Sequence, residues 1–434
     1  MSRKWSKITG LGVGVALLFL SFACTPKKPS PAPPDPRPAL TPLEALSSRE
    51  VAMRKAADYL WSKQAEEGSW PSEVYGIMKA GHATTPFVLY ALLQVPENIA
   101  RRPIGGVERA LTFMRDALND DGWLGHPKGG VREYPTYATA FALRCFVKAG
   151  SNKNQATITK MRMALEKAQL TTSRTIRDDY GREIEFPLAP YGAWSNGMSE
   201  VRGEQVGHVD LSHTRFVLQA LREAKSPQRE VFGRAIFFLE LCQKESAQSE
   251  RQPPIPFDEV APIRPEDNPP LDGATLLPDG GFYFSPIVLG ANKWQHHSDS
   301  KGRPTLFRSY PTATCDGVLA LLAYGATPEN SAVMAAEQWL RRHPKLELPE
   351  GMPESQPTPW DRAMRYYHWM VRAEAYAALA MEGDWRDQLA ALVTKEQREE
   401  GSFVNAEGLM KENDPLLATS MALIALGRCG QVIQ

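Results

Sequence analysis

The stretch SKQAEEGSW (Ser62–Trp70) follows the run VAMRKAADYLW, and TKEQREEGSF (Thr394–Phe403) follows RDQLAALV in the same way. A helical run, a Gln, two acids, a Gly and an aromatic are thus written near both ends of the chain. The order acid, Gly, aromatic also recurs in NDDGWLG and PDGGFYF. Gly68, Gly122, Gly280 and Gly401 allow the left-handed turn that stops a helix. The aromatic that follows can pack back on the helix, and Gln64 and Gln397 can hydrogen-bond the backbone at the turn. A unit repeated at such intervals signals an array of like modules.

Two kinds of helical segment alternate from residue 48 onward. One kind is amphipathic: VAMRKAADYLWSKQ, GVERALTFMRDAL, QATITKMRMALEKAQL, EVFGRAIFFLELCQK, SAVMAAEQWLRRH and DWRDQLAALVTKEQ. The other is apolar nearly all round and rich in Ala: ATTPFVLYALLQV, YPTYATAFALRCFVKAG, LSHTRFVLQALREA, YPTATCDGVLALLAYG, YYHWMVRAEAYAALAM and PLLATSMALIALGRC. A helix apolar on every side must be buried on every side. Each pair cannot bury itself alone, so neighbours stack. The alternation predicts an all-α fold, an α6/α6 toroid with the Ala-rich helices inside and the amphipathic ones outside. The last helix is apolar to its end, which favours a closed ring over an open array. GGFYFSPIVLG is the one strand candidate, within a loop region.

Through these Gln…Gly-x-Trp units the chain resembles the squalene-cyclase and prenyltransferase superfamily over most of residues 48–427. It is similar more locally to bacterial proteins with prenyltransferase or squalene-oxidase repeats, through YYHWMVRAEAYAAL followed by QREEGSF. The resemblance implies the double ring. Triterpene cyclases of this kind carry Asp-x-Asp-Asp, or a shorter Asp-Cys variant, on a buried helix, whereas TATCDGV reverses the order and has no neighbouring acid. The protein prenyltransferases bind zinc through an Asp, a Cys shortly after it, and a His on the next buried helix. Cys315, Asp316 and His368 have those types, but adjacent side chains diverge by about 100° on a helix. The resemblance therefore implies two enzyme alternatives: a degenerate cyclase with Asp316 as acid, or a zinc transferase using Cys315, Asp316 and His368.

The first residues read as a targeting segment. Arg3, Lys4 and Lys7 precede ITGLGVGVALLFLSFA, which has the length of a signal-peptide core. It stops at Cys24, in the pattern of a bacterial lipoprotein signal, although Ser21 and Phe22 are not the preferred residues before such a Cys. The expected division is a signal peptide at 1–23, a Pro-rich extended spacer at 24–47, and a toroid at 48–434. Lipidation of Cys24 would tether the body to a membrane outside the cytoplasm. The 434-residue chain has 50 Lys+Arg against 50 Asp+Glu, so nucleic acid is not an expected partner. Five cysteines without a CxxC pair give no disulfide framework.

Connections from amphipathic to Ala-rich helices are long, notably 171–210 and 246–308, and the return connections are short. Long loops therefore gather at one mouth of the ring, where the inner helices start and their positive dipole ends favour anions or acidic side chains. The residues placed there are His82, His208, Asp210, His213, Cys315, Asp316, Tyr366, Tyr367, His368, Glu374 and Asp414. Asp210 with Ser212 is either a helix cap or a ligand group. Asp316 sits in an apolar helix, where a lone carboxylate is costly. It is either paired with an Arg or a backbone amide, or a raised-pKa acid facing the cavity. Asp316 and His368 are the catalytic candidates. His82, His208, Asp210, His213, Tyr366, Tyr367 and Glu374 are the ligand-binding ones. Cys145, Cys242 and Cys429 read as small core residues. His296 and His297, and the pair Asp178 and Asp179, read as solvated loop. No cofactor is expected outside the zinc alternative, and no GxSxG, P-loop or Rossmann motif occurs.

The expected function is an envelope-tethered toroid whose central cavity binds an apolar or amphiphilic, isoprenoid- or lipid-like ligand. The enzyme alternatives stand beside it, as does a scaffold that presents its mouth loops to an envelope protein partner.

Overall fold

The computed structural model describes residues 37–177, 182–200, 206–244, 279–288, 291–293, 296–298, 304–350 and 359–430. Cys24, the signal segment, and Asp178 and Asp179 lie outside the described residues. A compact unit starts at Ala39. Thr41 is already tied into it, because its N–H donates to Asn98 O and its carbonyl accepts from Arg54.

Among the described residues six helix pairs follow one another. The outer members are α1 (Ser48–Ser62), α3 (Gly106–Asp116), α5 (Gln155–Lys167), α7 (Arg229–Cys242), α9 (Ser331–Arg342) and α11 (Trp385–Lys395). The inner members are α2 (Thr84–Leu92), α4 (Pro135–Ala149), α6 (Leu211–Glu223), α8 (Pro311–Tyr324), α10 (Arg365–Ala378) and α12 (Pro415–Cys429). A single-turn helix, Trp360–Ala363, leads into α10. The inner helices pack in sequence order, and α12 returns to α2. The fold is an α6/α6 toroid. Every residue of α2 is buried, whereas α3 buries only Gly106, Ala110, Leu111 and Met114. That is the contrast the Ala-rich and amphipathic patterns predict.

Local chemistry sets the ends. Ser47 and Glu50 form a reciprocal capping box at α1. Pro135, Pro311 and Pro415 open three inner helices, where a missing N–H costs nothing. Gly68 and Gly401 end their outer helices' turns at φ of +101° and +97°. A Cβ on Gly68 would lie 2.4 Å from the Arg109 carbonyl carbon, and one on Gly401 2.3 Å from Lys55 O. Only glycine fits, because the turn is pressed against the backbone of the next outer helix.

The Gln does more than close its own turn. Gln64 Nε2 donates to Gly68 O at 3.1 Å and to Gly106 O, in α3, at 2.9 Å. Gln397 Nε2 donates to Gly401 O at 3.0 Å and to Ala52 O, in α1, at 2.9 Å. Gln169 joins Gly192 to Val231 in α7, and Gln243 joins Gly280 to Ala332 in α9. Each amide thus staples one outer helix to the next, and the last of them closes the ring. The aromatic lies inside this staple: Trp70 Nε1 donates to Leu60 O at 2.6 Å and Trp194 Nε1 to Leu165 O at 2.7 Å.

The strand reading is corrected. Among the described residues of GGFYFSPIVLG only Phe282 pairs, in an isolated bridge with Gln243. Instead, β1 (Ser173–Arg177) and β2 (Glu183–Pro187) form a hairpin, as do β3 (His296–Ser298) and β4 (Pro304–Phe307). His296 and His297 therefore stand in a strand. Both hairpins lie in outer-to-inner connections, on the mouth side.

Candidate functional site

Loop carboxylates cap the inner helices at the mouth. A helix start leaves its first N–H groups unpaired and carries a partial positive charge, so a carboxylate there is favoured twice over. Glu133 accepts from the N–H groups of Ala80, His82 and Ala83 at 2.7, 2.7 and 3.2 Å, at the start of α2. Glu412 accepts from Tyr366 N–H at 3.0 Å, Tyr367 N–H at 2.7 Å and the Asn405 amide at 2.8 Å, at the start of α10. Asp414 caps α12 through Leu416 N–H at 2.9 Å. Burial pushes Glu412 up to about 7 against these donors, and it raises Glu133 as well.

Asp210 caps α6 through His213 N–H at 2.9 Å and takes the Ser212 hydroxyl at 2.9 Å. Its other oxygen lies 2.9 Å from His208 Nε2 and 2.7 Å from His213 Nδ1. Asp210 is thus both a cap and the hub of a polar cluster. Burial alone would raise its pKa, but His213 and His208 hold it well below the usual carboxylate range. The His213 ring stacks on Tyr137 of α4 at 3.9 Å, and the Tyr137 hydroxyl meets Ser212. His213 is 4% exposed; its Nδ1 approaches Asp210 outside hydrogen-bond geometry, and its Nε2 has no hydrogen-bond partner among the described residues.

One turn deeper, Arg215 crosses the ring. Its guanidinium donates to Asp316 of α8 at 2.9 Å and pairs with Glu374 of α10. Tyr367 of α10 donates its hydroxyl to the second Asp316 oxygen at 2.8 Å. Asp316 is therefore paired with an Arg and also raised in pKa. Burial lifts it to about 6, against Arg215 and the Tyr367 hydroxyl. Burial works on Glu374 in the same direction, yet Arg215, Arg428 and Arg144 bring it below its ordinary value. Lys293 is buried nearby, its Nζ donating to Ala291 O at 2.9 Å and lying 4.4 Å from the Phe284 ring centre. Burial lowers its ammonium to about 8, while the Asp210 and Asp316 charges pull the other way.

Aromatic rings adjoin the cluster. Phe141 of α4 meets Phe87 of α2 at 5.0 Å, Tyr90 at 5.4 Å and Phe216 of α6 at 4.7 Å, and Phe216 meets Tyr137 at 5.6 Å. Below them charged bridges tie the inner helices: Arg144 to Glu223 at 2.7 Å, and Arg428 to Glu374 at 3.8 Å. The inner helices thus enclose a polar mouth, an aromatic middle and an ion-paired floor.

Six of the sequence candidates come together here: His208, Asp210, His213, Asp316, Tyr367 and Glu374. Three do not. His82 lies against Phe113 and accepts from Gly125 N–H at 3.3 Å; burial, then His126, lowers it to about 4. Tyr366 packs edge-on against Trp369 and Phe403 in the wall. His368 is fully buried against the backbone of Lys345 and Leu346 beside Arg372, and it falls well below the ordinary histidine value, mainly through burial. Consecutive side chains diverge, so Tyr367 reaches Asp316 and His368 does not. No hydrogen bond or ion pair joins His368 to Asp316 among the described residues. The zinc set fails for the same reason: no group of three His, Cys, Asp or Glu among the described residues could hold a metal ion. Cys315 is buried, and burial pushes its thiol up to about 12.

Arg215, Lys293, Tyr137, Glu133 and Glu412 escaped sequence reading. Arg215 alone left a signal, as a cation inside the apolar run LSHTRFVLQAL. A buried cation demands an acid, and Asp316 and Glu374 were both in view.

The fold and this site define an α/α toroid with a buried polar cluster at its mouth. No family description matches the sequence, and no curated protein matches it. Solved structures do. A crystal structure of a protein from Actinoplanes superposes with a TM-score of 0.50 at 15% identity, covering 88% of this chain and 100% of that one. The type II terpene cyclase MstE from Scytonema gives 0.48 at 12% identity over 88% of this chain and 98% of its own. A family 76 glycoside hydrolase from a bovine Bacteroides thetaiotaomicron strain gives 0.48 at 11% over 87% and 78%.

Proposed function

We propose that this chain is an amphiphile-binding toroid of the bacterial cell envelope. The observation that carries the reading is the juxtaposition inside one ring of a charged mouth cluster and a run of aromatic rings. Asp210, His213, Lys293 and Asp316 offer donors, acceptors and both signs of charge to a polar head. Phe87, Phe141 and Phe216 offer an apolar wall to a hydrocarbon body. The Cys24 lipid and the Pro-rich spacer would keep the site beside the membrane that supplies such molecules. No helix among the described residues is long and apolar enough to cross a membrane.

Native mass spectrometry of protein from its host tests the reading. The expected result is a bound amphiphile, lost in His213→Ala/Phe216→Ala protein that keeps its melting profile. A ligand-free wild type that host membrane lipids do not stabilise against heat overturns it.

One observation favours a second reading, acid–base catalysis on the bound head group. The Asp210 carboxylate lies 2.7 Å from His213 Nδ1, and Nε2 makes no hydrogen bond among the described residues, so an imidazole stands beside a fixed acceptor. Asp316, titrating near neutrality, is the matching acid. Chemical change in a host lipid extract incubated with wild type but not with His213→Gln would establish it.

A further inference from the structure

A second place for a ligand lies between the second and third repeats. The α3–α4 connection, the end of α5 and the segment around residues 194–199 enclose an open groove of about 790 Å³, a volume typical of small-molecule pockets. Its walls are fixed independently of any ligand. Leu170 N–H donates to Ala193 O at 2.9 Å, Thr136 donates its hydroxyl to Ser195 O at 2.6 Å, and Arg132 donates to Gly197 O at 3.2 Å. Asn196 N–H donates to His208 O at 2.8 Å, so one wall is hydrogen-bonded to the loop that enters α6.

The lining chemistry is uneven. Half-buried Trp123 supplies an aromatic surface. Arg132 and Lys167 supply fixed positive charge, His126 also lines the groove, and Asp121 is the single acid among the lining residues. The remainder is mostly hydroxyl, amide and backbone. Arg132 now leans on Glu200 at 3.5 Å, a pair whose glutamate is 60% exposed. Such a surface pair is weak and readily exchanged for another carboxylate. Guanidinium and ammonium groups select an anion. An anion alone has no use for an indole, and an apolar ligand has no use for two cations. A ring that shows C–H groups on its face, hydroxyls on its rim and a carboxylate satisfies all three features.

We propose that this groove binds an acidic saccharide, with Trp123 against the sugar face and Arg132 and Lys167 on its carboxylates. The proposal is independent of the amphiphile reading, because none of these residues belongs to the central cluster. Burial and the Arg132 charge depress His126, with Asp121 opposing, so acidification adds a further positive charge to the groove.

Calorimetric titration of the full chain in detergent with trigalacturonic acid, and with maltotriose as the neutral control, tests this. The expected result is binding of the acidic trimer, at least about tenfold tighter than the neutral one, weakened by salt and strengthened on lowering the pH. Arg132→Ala, Lys167→Ala and Trp123→Leu should each weaken it by about tenfold, and Lys167→Ala, at an exposed position outside the wall's hydrogen bonds, should do so with unchanged melting temperature. No binding of the acidic trimer, equal binding of both trimers, or affinity indifferent to all three variants would overturn the proposal.

Discussion

Arg215→Leu removes the cation that bridges α6 to α8 and α10, and its effect depends on pH in a way the geometry fixes. Arg215 and Asp316 are fully buried and Glu374 nearly so, with the Asp316 contact at 2.9 Å. Removing one partner of such a group leaves an uncompensated buried charge, which costs about 3–5 kcal/mol. Glu374 lies below its ordinary pKa in the folded chain, so it contributes stability above its unfolded value that is lost on acidification. Asp316 is raised to about 6, so its contribution is fully present below its unfolded value and lost as pH climbs through 6. Without Arg215 both carboxyls rise. The damage is then largest at pH 8, where both must ionise, and shrinks by about 1–2 kcal/mol or more at pH 5, where both can take a proton. Urea unfolding followed by tryptophan fluorescence at the two pH values measures it. Adding Asp316→Asn and Glu374→Gln to the same chain should recover much of the loss at pH 8. A loss below about 1 kcal/mol at pH 8, or an equal loss at both pH values, would refute the reasoning.

Gly401→Ala and Gly383→Ala share a φ near +97°, yet only Gly401 faces the Lys55 backbone. The first should cost several kcal/mol in urea unfolding and the second only about 1 kcal/mol; equal costs would show that ring closure does not depend on that contact. Glu412 is raised by burial to about 7, so its stabilising effect is complete below about 4.5 and fades as pH rises through 7. Glu412→Gln should flatten the fall in stability between pH 5 and 8 by about 2–3 kcal/mol, and an unchanged pH profile would count against that assignment. Cys24→Ser should move the protein from the membrane to the soluble fraction of its host; unchanged partitioning would remove the lipid anchor.

The double ring was legible because it is compositional. A helix that is Ala-rich and apolar all round has one place to go, and the sequence alternates it with its complement six times. The staple was half legible. Gln64 and Gln397 stand four residues before their Gly, whereas Gln169 is parted from Gly192 by the β1–β2 hairpin and Gln243 from Gly280 by a long insertion, so the spacing that carried the signal is gone. The hairpin itself was readable in the alternation of TSRTIR and EIEFP, but strands are not expected between helices of a ring. The site was legible as residue types and illegible as partners. Asp210 and His213 are neighbours on one helix and were found together. Arg215 meets acids 101 and 159 positions away, pairings set by ring closure and by no local pattern. His368 shows the converse error: a residue on the expected helix, one position from Tyr367, faces another layer.

Buried charge at the centre of this ring bears on what the ring is for. Replacing a buried ion triad by apolar side chains of equal volume is often neutral or stabilising, so Arg215, Asp316 and Glu374 are poorly explained by stability alone. Four of the six inner helices already have a carboxylate at their starts, from Glu133, Asp210, Glu412 and Asp414. The mouth dipoles therefore do not require the deeper acids either. Burial lifts Asp316 to about 6 although Arg215 opposes it, whereas the surrounding arginines bring Glu374 below its ordinary value, within a single hydrogen-bonded unit. Buried carboxyls so placed are what the proposed recognition of a head group would use. A scaffold that used only its outer loops would need none of them. The ligand reading thus rests on the interior, and an Arg215→Met/Asp316→Leu/Glu374→Met chain separates the alternatives. If that chain folds, closes its ring and keeps every ligand of the wild type, the buried charges serve neither stability nor binding, and the mouth loops become the surface to study.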